Sequence, residues 1–85
     1  MKAKILEVMR EIAADTEQQL TDPMTDQTVL LSSGLDSLGF AILVARLEED
    51  LGFDPFVEIE DAVYPETFGD FVAMYQRVAV QLGKA

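Results

Sequence analysis

The chain has 85 residues, a single-domain length that supports one modest core and leaves little room for a deep enclosed active site beside it. Lys and Arg number 6 against 16 Asp and Glu, a formal net charge of -10, which disfavours nucleic acid and anionic membrane surfaces because both are bound through basic side chains. With no Cys, no His, no membrane-length apolar run and no signal-peptide pattern, the chain reads as a cytoplasmic monomer without disulfides or a metal site.

From Lys2 to about Gln19, Ile5, Met9, Ile12 and Ala13 recur at helical spacing and predict an amphipathic helix. Between Thr21 and Asp36 the chain turns polar, with Asp22-Pro23 and Ser32-Ser33-Gly34 as breakers, while Val29, Leu30, Leu31 and Leu35 stay apolar. This predicts a long loop held down by its leucines, and long ordered loops in small domains are often functional.

Asp36 is a good N-cap, and the next helix is expected to run from Ser37 to about Leu51, with Gly52 as its stop. Phe40, Leu43, Val44, Leu47 and Leu51 gather on its core face. Leu38 and Ile42 fall on another face, beside Ala45 and Glu49, and read either as a small contact surface or as residues covered by a neighbouring loop. Gly39 in the first turn costs about 1 kcal/mol relative to Ala, so a reason such as close approach by another molecule is expected.

Asp54 to Asp61 reads as an acidic loop, and Glu60 to Tyr64 as a single helical turn closed by Pro65. Thr67 then caps a last helix in which Phe68, Phe71, Val72, Tyr75, Ala79 and Leu82 recur on one face. The expected fold is all-α: a single domain over residues 1–85, built as a bundle of three long helices and one short third helix. Between Arg46 and Arg77 nine acidic residues, Glu48 to Asp70, have no cation among them. They read as a solubilising face or as a steering field toward basic partner surfaces.

Ser37 is the residue with a chemical question attached. A nucleophilic serine normally needs a histidine, lysine or equivalent base within hydrogen-bond reach, and this chain has no His and no Cys, so Ser37 reads as a group that is acted upon. A serine in the first turn of a helix is well placed to carry a phosphate, because unpaired N–H groups and the helix dipole favour an anion there.

Gly34-Leu35-Asp36-Ser37-Leu38 resembles the attachment motif of the acyl carrier protein family. The resemblance covers nearly the whole chain, from the first helix and long loop through the acidic stretch to the last helix. It implies an acyl-carrier-type bundle and a 4'-phosphopantetheine arm, derived from coenzyme A, on Ser37. It also implies that a partner phosphopantetheinyl transferase supplies Mg²⁺ and any base, and that the arm's thiol holds acyl, polyketide or aminoacyl cargo as a thioester. On this resemblance Asp36 caps the helix and helps position the transferase. Leu38 and Ile42, with Glu48 and Glu49, are read by the transferase, by an acyl- or aminoacyl-loading ligase or acyltransferase, and by downstream biosynthetic enzymes. The chain itself is no enzyme.

Fatty acid carriers of bacteria usually have acids two and five residues past the serine, where this chain has Gly39 and Ile42. Tyr64-Pro65-Glu66-Thr67-Phe68 instead resembles the start of the last helix in carriers of polyketide and nonribosomal peptide assembly lines, which favours a free-standing carrier of a specialised pathway. The rival readings are less complete. An acidic interaction module without a prosthetic group leaves the capped serine unexplained. An EF-hand loop from Asp50 fails, because Pro55 stands where Gly belongs and Asp61 where Glu belongs. Lipoyl and biotinyl carriers resemble β-rich domains that present a lysine.

Overall fold

A computed structural model of the chain describes residues 1–58 and 65–83. Among these residues there are four α-helices and no extended strand: α1 (Lys2–Asp15), α2 (Ser37–Leu51), α3 (Pro55–Glu58) and α4 (Phe68–Gln81). A 3₁₀ turn over Leu30–Ser32 lies in the loop between α1 and α2. Three long helices and one short one make a helical bundle, as the periodicity predicts, and this is the acyl-carrier type of bundle that the resemblance implies.

The apolar stripe of α1 is buried at Ile5, Val8, Met9, Ile12 and Ala13. The helix ends at Asp15, four residues short of the expected Gln19. It stops because Glu17 takes a left-handed conformation (φ 58) and the Gln18 amide turns back to the Ala13 carbonyl at 2.8 Å, the bond pattern of a Schellman cap. Helix α4 contributes the largest buried side chains, Phe68, Phe71 and Tyr75, and α2 adds Leu43 and Leu47. Leu82, expected in this stripe, lies beyond the end of α4 and is 41% exposed.

The 21-residue span between α1 and α2, residues 16–36, is pinned at both sides. Thr21 donates from its amide to the Ser33 carbonyl (2.8 Å) and from its hydroxyl to the Ser32 carbonyl (2.9 Å). Gly34 (φ 111) makes this closure possible, since a β-carbon there would lie 2.0 Å from the Gln19 carbonyl oxygen. On the other side a single antiparallel bridge joins Val29 to Thr67, flanked by Leu30 N–H to Glu66 O (2.9 Å) and Phe68 N–H to Thr28 O (2.8 Å). Two of the four loop hydrophobics anchor the loop in the core, Leu30 and Leu35. Leu31 is 84% exposed and Val29 about half exposed, so they do not help hold it down.

The stretch read as an acidic loop begins instead with α3. Asp54 starts that helix, its carboxylate accepting from the Phe56 amide at 2.9 Å, with Pro55 in the first position, where a missing N–H costs nothing. The helical turn expected over Glu60 to Tyr64 lies outside the described residues. The acids after Arg46 are not wholly without cations either, because Lys4 of α1 reaches Asp50 at 3.2 Å. That pairing holds the Lys4 proton above the ordinary lysine range.

Candidate functional site

Asp36 has extended backbone geometry (φ -86, ψ -175) and its carboxylate accepts from the Gly39 amide at 2.8 Å. Its carbonyl takes the Phe40 amide at 3.0 Å, so the helix is closed around its first turn from both ends of one residue. The amides of Ser37 and Leu38 have no acceptor within the helix, as the first turn of any helix requires.

Gly39 is buried, and its reason is internal. A β-carbon there would sit 3.3 Å from both the Asp36 carboxylate and the Leu35 side chain. The expected approach by another molecule is therefore replaced by the close packing of the chain's own capping loop.

The chain has three serines, and the fold treats them differently. Ser33 is fully buried and donates to the Leu30 carbonyl at 2.6 Å. Ser32 is exposed within the 3₁₀ turn. Ser37 is exposed at the head of α2, and its hydroxyl has no partner among the described residues.

Beside Ser37 opens a mostly apolar groove of about 930 Å³. Phe40, Ala41 and Val44 of α2 line it together with Phe71 of α4, Phe56 of α3 and Leu31 of the 3₁₀ turn. Phe40 and Phe71 meet edge to face with ring centres 6.4 Å apart, and Phe71 rests in turn on Tyr75 at 5.0 Å. Phe40 and Val44, read from periodicity as core, are only half buried because their outer sides form this groove. Sequence reasoning missed Leu31, Phe56 and Phe71 as neighbours of Ser37. The apolar triplet Val29-Leu30-Leu31 inside a polar loop was the one available signal.

The other candidate residues divide. Leu38 is 67% exposed, next to Ser37. Ile42 is half buried and packs against the core, so the separate face expected for the pair holds for Leu38 and only in part for Ile42. It lies one helical turn beyond Leu38. Glu48 and Glu49 are exposed but about 17 Å along the helix axis from Ser37, at 1.5 Å per residue.

A family model described as the phosphopantetheine attachment site matches residues 5–61. The chain belongs to this phosphopantetheine-binding family, the class that acyl carrier proteins define, and its role is that of a phosphopantetheine carrier with a covalently attached 4'-phosphopantetheine. There is no significant match among curated proteins or solved structures. Membership sets aside the reading as an interaction module without a prosthetic group. The geometry fits the group: an exposed hydroxyl at a capped helix start, beside an apolar groove, leaves room for an arm and meets its phosphate with unpaired amides. Among the described residues no helix is long and apolar enough to cross a membrane, and no cluster of acidic side chains is arranged to hold a metal.

Proposed function

We propose that Ser37 is the attachment residue and that this single-domain chain presents acyl, polyketide or aminoacyl intermediates to a series of partner enzymes. The observation that carries this reading is the position of Ser37, the exposed serine that both starts a capped helix and opens on the groove. When bound, the group supplies a terminal thiol that holds cargo as a thioester, which is how a chain without cysteine carries acyl groups. The protein's own residues do the rest: Asp36 fixes the backbone around Ser37, and the α2 amides face the phosphate.

Catalysis belongs to the partners: a phosphopantetheinyl transferase, then a loading ligase or acyltransferase, then downstream enzymes. Leu38 and the outer edge of Ile42 form the apolar part of the face they read, and Glu48 and Glu49 the charged part. A net charge of -10 supports steering toward basic partner surfaces.

One observation supports a specialised pathway over housekeeping fatty acid synthesis, and another bears on the cargo. At the site two residues past Ser37 a β-carbon would lie 3.3 Å from both the Leu35 side chain and the Asp36 carboxylate, so an acidic side chain there requires these neighbours to shift and places two carboxylates together. The groove is lined mainly by aromatic and aliphatic side chains, which suits acyl or polyketide carbon better than a charged aminoacyl group.

The test is the intact mass of the protein before and after incubation with coenzyme A, Mg²⁺ and a broad-specificity transferase, with Ser37→Ala alongside. The parent gains one phosphopantetheine and Ser37→Ala gains none while keeping its helical circular dichroism. A modified Ser37→Ala protein places the site elsewhere.

A further inference from the structure

Of the chain's five phenylalanines, Phe53 and Phe68 are buried in the core, while the other three converge on the groove beside Ser37, one from each of three helices. Phe40 comes from α2, Phe56 from α3 and Phe71 from α4. Phe40 stands edge to face with Phe71, with ring centres 6.4 Å apart and planes at 61°, and its outer side is left to the groove. A ring laid against such a pair gains edge and offset contacts beyond the area it buries, which an alkyl chain does not. A ring also immobilises fewer rotatable bonds on entry than an alkyl chain of equal carbon count, so less of the contact energy is lost to ordering.

The charge at the groove has one sign. Glu66 is the only charged side chain among the residues that line it, and it is exposed. Its place is fixed by the backbone, since its carbonyl accepts the Leu30 amide at 2.9 Å and the next residue, Thr67, caps α4. No cation offsets it from α2, whose Arg46 is already paired with Glu11 and Asp15 of α1. A carboxylate entering the groove would lose water and meet a like charge with no partner there. A second copy of a chain carrying -10 is repelled for the same reason.

We propose, on the carrier reading of Ser37, that the groove sorts cargo by shape and charge: it takes a neutral aromatic acyl group in preference to a linear alkyl one, and Glu66 turns away cargo that ends in a carboxylate. The groove begins at Ser37 itself, so an arm rooted there reaches it. Phe40 supplies the ring contact and Glu66 the charge selection.

The experiment loads the protein with a broad-specificity transferase from acyl-coenzyme A donors of equal carbon count: hydrocinnamoyl, nonanoyl and the nonanedioyl half-thioester. Thioester cleavage by hydroxylamine is compared with that of the same acyl group on free pantetheine, which removes differences in intrinsic reactivity and gives a protection factor. Intact mass, Tm, elution volume and the aromatic side-chain NMR signals are recorded with each. The parent protects hydrocinnamoyl at least about threefold better than nonanoyl, with shifted Phe40 ring signals. Nonanedioyl is cleaved as fast as its free counterpart. Phe40→Leu still loads but loses the preference for the ring. Glu66→Gln raises protection of nonanedioyl at least about twofold, whereas Glu7→Gln, which removes the same charge from the exposed side of α1, does not.

Equal protection of ring and chain on the parent overturns the proposal, and so does nonanedioyl protected as well as nonanoyl. An absence of protection for every cargo overturns it too, while the mass gained on loading keeps the carrier reading intact. An unloaded dimer that Leu31→Asp dissociates also overturns it, because a second copy then fills the groove that Leu31 lines. A parent that gains no mass overturns the carrier reading and the sorting of cargo together.

Discussion

Asp36 accepts the backbone N–H of Gly39 at 2.8 Å, and the two residues enclosed by that bond are Ser37 and Leu38. The contact that starts α2 therefore also orients the candidate attachment residue and its exposed neighbour. Asp36→Ala removes the cap and is expected to lower stability by about 1 kcal/mol, a fall in Tm of roughly 4–8 °C for a domain of this size. Asp36→Asn keeps an acceptor and holds the parent Tm in thermal melts. If the charge also positions the transferase, Asp36→Asn is modified more slowly than the parent; equal rates reduce Asp36 to a cap.

Two backbone positions with positive φ behave oppositely. Gly34→Ala forces a β-carbon toward the Gln19 carbonyl and is expected to cost on the order of 2 kcal/mol or more in urea unfolding. Glu17→Gly relieves a side chain from the left-handed region at φ 58 and is expected to add about 0.5–1 kcal/mol. A neutral Gly34→Ala would mean that the α1–α2 loop is not pinned as described.

Much of the bundle was legible because its signals are local. For α2, the Asp36 cap, the 3.6-residue stripe and Gly52 (φ 84) all lie within the segment itself. The end of α1 was not legible, since Glu17 rather than a glycine takes the left-handed position. At α3, the start signal Asp54-Pro55 was hidden in a run of acids that suggested a loop. The groove could not be read at all. Phe40 and Val44 have core periodicity, and only the long-range arrival of Phe56 and Phe71 turns their outer sides into a lining.

Tyr75 is fully buried and its hydroxyl has no hydrogen-bond partner among the described residues. Tyr75→Phe removes an unsatisfied polar group and is expected to stabilise the fold by about 1 kcal/mol at neutral pH, read as a raised Tm. Burial pushes the hydroxyl pKa above the ordinary 10.0, with the Asp54 and Glu48 carboxylates adding to the rise. The folded state thus keeps a proton that the unfolded chain releases, so this contribution is fully present below about pH 10 and is lost as the pH climbs beyond it. Stability of the parent is expected to fall more steeply above that pH than that of Tyr75→Phe, and parallel curves would contradict it.

Salt is expected to act in two directions. Raising ionic strength from millimolar to physiological screens the self-repulsion of a chain at -10 and raises Tm. The same change weakens steering and raises KM for modification by a basic transferase. A KM that does not move with salt would assign the acidic surface to solubility alone.

The most direct test of the central claim is tandem mass spectrometry of the phosphopantetheine-loaded protein after proteolysis. The arm is expected on Ser37, with Ser32 and Ser33 unmodified in the same peptide. An arm on Ser32, exposed and only five residues away, would leave the chain a carrier but contradict the assignment of its site to the head of α2.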